Sequence, residues 1–252
     1  MYKSKTLLLF LVCALAYAAS LTLRAPRDDQ DWANLARYRD SNAELAKLPA
    51  GTNEVIFMGA SVIDFWTKNG DFFPGKPYVD RGISGQITAQ NLVRFRPDAI
   101  NLKPKVILIL CGSNDIAANL PLETMANNIM SMTDLALANK IHVVLSSLTP
   151  VCGAIVADRP PEKIMAYNAW LKSYAQQAGV VFVDMYSPLI GSDGLSRQDL
   201  TIDCLHPNKA GYAIMEPYAL PAIKKAEGIQ LQFTLFSFLC FFFEKKNYLK
   251  TL

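Results

Sequence analysis

The sequence predicts an α/β three-layer sandwich built on a five-stranded parallel sheet. Two observations carry this reading: short runs that are apolar at every position recur along the 252 residues, and helix-periodic stretches separate them. A strand that is apolar throughout is buried on both faces, as in a parallel sheet covered by helices, and strand–helix alternation builds such layers. With 51% hydrophobic and 19% charged residues, and 13 Gly and 14 Pro spread along the chain, the composition is globular rather than disordered, collagen-like or polytopic.

The leading element is an amphipathic helix over 31–48, where Trp32, Leu35, Tyr38 and Leu45 recur at near-helical spacing before Pro49-Ala50-Gly51 ends it. Strands follow at 55–58, 77–80, 106–110, 141–145 and 180–183. The crossover helices fall at 89–94, 122–139, 162–177 and 208–226. On such sheets reactive groups belong in loops at the carboxyl ends of the strands.

The two ends of the chain read differently. Lys3 and Lys5 precede an apolar run over 7–16, and Ala16-Tyr17-Ala18 offers small residues for cleavage, the pattern of a secretory signal peptide over 1–18. An anchoring helix needs about 20 apolar residues, so cleavage near Ala18 and a secreted or periplasmic location are expected. Export permits disulfides. Cys111 lies inside an apolar strand and reads as a buried free thiol, whereas a Cys152–Cys204 bridge requires both residues on loops at one end of the sheet; the alternative is free thiols. The tail over 227–252 is Phe-rich, without clean period and too short to span a bilayer. Packing on the sheet edge, dimerisation, contact with a membrane surface and no role at all stay open for it. A net charge of +3, with no basic stripe and no zinc-ligand spacing, excludes nucleic acid as a partner.

Four loops carry chemistry. Gly59-Ala60-Ser61 closes the first strand and opens a helix, where Ser61 is placed to act as a nucleophile. The alternative is that Ser61 only caps that helix, with Asp64 completing a capping box. Near the other end, Asp203-Cys204-Leu205-His206-Pro207 sets a carboxylate three residues before a histidine, so that Asp203 can hold one ring nitrogen while the other faces a serine. The second histidine, His142, opens a strand and reads as a satisfied core residue. Arg81-Gly82-Ile83-Ser84-Gly85-Gln86 allows close backbone approach with an N–H aimed into the site, and Gly112-Ser113-Asn114-Asp115 offers a neutral amide donor.

These four blocks, in this order, resemble the SGNH or GDSL-type serine esterases and lipases over 54–226, and look most like secreted bacterial acetylesterases and platelet-activating-factor acetylhydrolase-like members. The resemblance implies a flavodoxin-like strand order in the SGNH hydrolase domain, with 19–53 packed on it. It also implies Ser61 as nucleophile, an oxyanion hole from the N–H groups of Ser61 and Gly85 and the side chain of Asn114, and a triad completed by Asp203 and His206. No metal or organic cofactor is called for. The implied substrates are small-molecule or carbohydrate esters with short acyl groups, O-acetyl above all. Lysophospholipase or thioesterase action is an alternative, as is a scaffold that binds without turnover. One position departs from the family: Ala60 stands where the motif has Asp, a residue understood there to brace the site's loops, so looser loops and lower activity are expected.

Overall fold

The computed structural model describes residues 31–229. The signal segment, Cys13, Cys240 and the tail from 230 on lie outside the described residues. Five strands, β1 (Val55–Gly59), β2 (Tyr78–Gly82), β3 (Val106–Leu110), β4 (His142–Ser146) and β5 (Val181–Val183), form one sheet in the order β2-β1-β3-β4-β5. All pairings are parallel. The central strands β1 and β3 are buried at every position, which is why they read as unbroken apolar runs.

Eight helices surround the sheet among the described residues: α1 (Arg39–Leu45), α2 (Ser61–Asp64), α3 (Trp66–Asn69), α4 (Thr88–Asp98), α5 (Ser113–Ala117), α6 (Leu122–Ala138), α7 (Pro161–Gln177) and α8 (Lys209–Glu227). Helix α8 packs across β3, β4 and β5 and against α3. Helices α4 and α6 pack on each other, with α4 on β1 and both α6 and α7 on β4. Asn208 starts α8 as its N-cap, its side chain accepting from the Gly211 N–H at 3.0 Å. An aromatic cluster of Phe57, Trp66, Phe72, Phe73 and Tyr212 fills the space between β1 and α8, with Trp66 and Tyr212 stacked at 5.1 Å.

The leading helix is shorter than its pattern, running only over Arg39–Leu45. The Asp31 carboxylate accepts from the N–H groups of Leu35 and Ala36 at 2.7 and 2.9 Å, and Asn34 turns at φ 55°. This local side-chain bonding competes with helix, and Trp32 and Leu35 stay exposed. The segment is nevertheless tied down: the Tyr38 hydroxyl donates to Gly82 O, Gln90 Nε2 to Trp32 O and Gln86 Nε2 to Ala33 O.

His142 also departs from expectation. It is half-buried with its Nδ1 unpartnered among the described residues, and burial lowers its pKa against a smaller opposite pull from Glu227. It starts β4, at the sheet end opposite the loops that follow the strands.

The most heavily bonded buried charge is Arg94 on α4, with none of its side chain exposed. Its guanidinium donates to Gly59 O at 2.6 Å, Arg81 O at 2.8 Å, Gln86 Oε1 at 2.5 Å, Asn91 Oδ1 at 3.0 Å and Asp98 Oδ2 at 3.0 Å. Asp98 in turn accepts from Asn42 of α1, and Asn42 from Arg81. Removing one partner of a buried pair strands the other. Arg94→Met is therefore expected to destabilise the fold by about 3–5 kcal/mol in urea denaturation, and Arg94→Lys to recover little, because one ammonium cannot reach the acceptors a guanidinium fork serves.

Asp80 on β2 is the opposite case. Its Oδ1 accepts from the Gly82 N–H at 2.7 Å, but Oδ2 is buried without a partner among the described residues. Burial above all, with Asp64 nearby, pushes its pKa up to about 7. Since the unfolded value is about 3.9, the folded state holds a proton that the unfolded state loses between these values. Stability from this group is full below about pH 4 and is lost as pH rises to about 7. Asp80→Asn keeps the acceptor for Gly82, so denaturation at several pH values should find it more stable than wild type at pH 8, the gain shrinking toward pH 4.

Candidate active site

The loops at the carboxyl ends of the strands converge on one place. Strand β1 ends at Gly59, and α2 begins at Ser61 after a single residue. A Cβ on Gly82 would lie 2.0 Å from the Asp64 nitrogen, so only glycine lets the end of β2 approach this turn. The helix N-cap is Ala60, without a side-chain cap bond. Ser61, buried at 9% exposure, therefore does not spend its hydroxyl on capping. Nor does Asp64 complete a capping box. Its carboxylate instead accepts from both the N–H and the hydroxyl of Ser84 and from Lys68 at 2.7 Å. Burial would raise its pKa, but the bonds from Lys68 and Ser84 outweigh it and hold the group below the usual carboxylate range.

Beyond β2, Gly85 adopts φ +82°, and the space where a Cβ would project is open. The next residue, Gln86, accepts at its carbonyl from Asn114 Nδ2 at 3.0 Å. Asn114 lies in α5, directly after β3. Its neighbour Asp115 is fully buried and accepts from the Thr88 N–H at 2.9 Å and the Thr88 hydroxyl at 2.5 Å. Burial raises the Asp115 pKa against the pull of those bonds. The second and third loops are thus joined twice, by Asn114–Gln86 and by Asp115–Thr88.

The fourth loop brings Asp203 and His206 together. His206 Nδ1 lies 2.7 Å from Asp203 Oδ2, while Asp203 Oδ1 accepts from the N–H groups of His206 at 2.8 Å and Leu205 at 3.1 Å. Partial burial pushes the Asp203 carboxyl up, but the His206 ring and these two N–H groups more than offset it and hold it low. In the neutral tautomer with its proton on Nδ1, facing Asp203, the imidazole has its lone pair on Nε2, and that atom is buried without a partner among the described residues. The imidazole packs on Phe65 at 4.5 Å between ring centroids, and the Phe65 N–H donates to Ser61 O. The His206 loop therefore rests on the turn that carries Ser61.

Cys204, inside that loop at φ +66°, is disulfide-bonded to Cys152, and the Cys152 N–H donates to Cys204 O at 3.0 Å. Among the described residues, Cys111 is the free thiol, buried, with its pKa raised by that burial.

The roles of three charged residues at the site escape the sequence patterns. Asp64 and Asp115 carry the bonds between loops, and Arg159 donates to Ser113 and Asn114. Each is a charged residue in a helical or turn context, indistinguishable by pattern from a solvated one. Beside Gly85 opens a cleft of about 650 Å³ whose walls include Trp32, Asn34, Ser84 and Gln90. A smaller, mostly apolar hollow of about 310 Å³ lies behind α5, lined by Ile116, Leu120, Leu122, Met125 and Tyr167.

Comparison with known proteins places this arrangement in context. Residues 65–214 match the model of the GDSL-like lipase/acylhydrolase family, a stretch that starts four residues after Ser61. A GDSL-like lipase from Bacteroides thetaiotaomicron is 38% identical, covering 78% of this chain and 100% of its own, with a TM-score of 0.73. A structure from Bacteroides fragilis named for acylhydrolase activity is 41% identical over 78% of this chain and 99% of its own, also at 0.73. The fold extends to an acetylxylan esterase from Geobacillus stearothermophilus at 18% identity, covering 72% and 97% of the two chains with a TM-score of 0.56. No curated protein matches. A family match over more than half the sequence, joined to these likenesses along nearly whole structures, establishes that the chain belongs to the GDSL-like lipase/acylhydrolase family, the ester hydrolases built on this α/β sheet.

Proposed function

We propose that the chain is an exported serine esterase that hydrolyses short-chain acyl esters, with O-acetyl groups on carbohydrate as the substrate class. The observation that carries this reading is His206: one ring nitrogen is held by an ionised Asp203, the other is buried and unpartnered, and the ring rests on the Ser61 turn. In this scheme Ser61 Oγ attacks the ester carbonyl as His206 Nε2 takes its proton. The tetrahedral oxyanion lies against the N–H groups of Ser61 and Gly85 and the Asn114 amide. The imidazolium then protonates the leaving alcohol, and water repeats the sequence to release the acid.

The sugar assignment draws on the acetylxylan esterase likeness and on the cleft beside Gly85. There the exposed ring of Trp32 offers an aromatic face to the alcohol part of the substrate. A second reading, lysophospholipase or thioesterase action, has one observation in its favour: the apolar hollow behind α5 could take a longer acyl chain.

Hydrolysis of p-nitrophenyl acetate should disappear in Ser61→Ala and fall about 10²–10³-fold in Asn114→Ala with the fold intact by circular dichroism. Equal rates from wild type and Ser61→Ala would instead favour a scaffold that binds without turnover. Preference for acetate over octanoate supports the acetylesterase reading, and the reverse supports the lipid one.

The disulfide bears on the same site. Cys152→Ala/Cys204→Ala is expected to cost about 2–5 kcal/mol of stability. It should also lower kcat more than KM, since it frees the loop that holds the base; the check is urea denaturation beside steady-state kinetics below the new midpoint.

A further inference from the structure

One charged side chain at the site has no place in the acyl-transfer scheme. Arg159 follows the single turn Gly153–Ala157, on the loop that Cys152 ties to the base loop. It is half-buried, and it makes two side-chain bonds: Nε donates to Ser113 Oγ at 3.0 Å and Nη2 to Asn114 Oδ1 at 3.0 Å.

The second bond bears on which way the Asn114 amide faces. A primary amide has an accepting end and a donating end of nearly the same shape, and rotation by half a turn exchanges them. A guanidinium has no acceptor, so it holds only the oxygen end. Gln86 O takes one hydrogen of Nδ2 at 3.0 Å, and a carbonyl accepts only from the nitrogen end. With both ends specified, the second Nδ2 hydrogen is fixed in direction. A cationic donor on the amide oxygen also draws electron density from the nitrogen, which makes the remaining N–H a stronger donor.

We propose that Arg159 is a positioning residue for the oxyanion hole, locking and polarising the Asn114 amide so that its free N–H is aimed at the developing negative charge. Arg159 itself touches no reacting atom. The inference rests on the acyl-transfer reading above and assigns a role to a residue which that reading leaves unused. The same 152–160 loop then serves both halves of the site, the base loop through Cys152 and the oxyanion donor through Arg159.

The test is a double-mutant cycle with p-nitrophenyl acetate. Arg159→Met is expected to lower kcat about 10- to 100-fold with KM nearly unchanged, because an amide free to rotate loses its transition-state bond. Arg159→Lys, which can still donate to the amide oxygen, should recover part of the loss. In the Asn114→Ala background, Arg159→Met should change kcat less than about threefold, since the group it acts through is gone. The same loss in both backgrounds, or a loss confined to KM, overturns the proposal. A readout independent of turnover is the NMR signature of the Asn114 side-chain NH2 in the folded full chain. Arg159→Met should shift both resonances toward those of a free amide and speed their exchange, and unchanged resonances overturn the proposal. If wild type and Ser61→Ala show equal hydrolysis, it is the esterase reading that fails, and the amide resonances still decide the role of Arg159.

Discussion

Arg94 lies wholly inside the protein and binds the backbone carbonyls that end β1 and β2. A buried guanidinium is costly unless every donor is used, and here acceptors come from two strand ends, the Gln86 loop, Asn91 and Asp98. Those strand ends carry the Ser61 turn and the Gly85 loop, so the spacing between two of the four candidate-site loops is set by one planar side chain. Burial lowers the pKa of Arg94 and Asp98 pulls it back up; so strongly basic a group keeps its charge. A lysine could supply the charge but not the fork of donors.

Around that centre, neighbouring loops are joined in pairs. Asp64 holds the first loop to Ser84 of the second, and Asp115 holds the third to Thr88 at the head of α4. Tyr212 of α8 donates to Val62 O in the first loop. The fourth loop is the outlier, since its closest ties are the disulfide to Cys152, the backbone bond beside it and the packing of His206 on Phe65. A covalent link suits that place, because residues 201–206 are exposed or only partly buried.

Ala60 acquires a physical meaning in this frame. By its resemblance to the family motif, the position of Ala60 is one where a loop-bridging carboxylate is expected. In this chain, Asp64 one helical turn on and Asp115 in the third loop provide carboxylate bridges between neighbouring loops, both charge-assisted or fully buried and so stronger than neutral bonds. Ala60 is itself buried, at 7% exposure, so its side chain packs at the turn rather than facing solvent.

The central strands are legible because burial on both faces leaves a mark on every residue. The run 106–110 was read with the bounds of β3, and the other strands within a few residues. Helix ends set by local chemistry were legible too, as Asn208 at the head of α8 shows. The leading helix is shorter than its pattern, since its spacing is helical but the Asp31 carboxylate captures the N–H groups that would begin it. The blocks that hold the candidate site residues stand out in sequence for a similar local reason: each has glycines, an asparagine or an Asp–His spacing that marks a turn. What sequence by itself determined is therefore whatever a residue's near neighbours decide, namely strands, caps and turns in their order along the chain. Only the tertiary structure decided which charges are buried and whom they serve. Arg94, Asp115 and Arg159 look like surface charges in sequence, and their roles, like the pairing of Cys152 with Cys204, depend on partners that folding brings from as far as 52 positions away. A pattern of neighbours cannot record such a contact, because the burial that gives it strength exists only once the layers have closed.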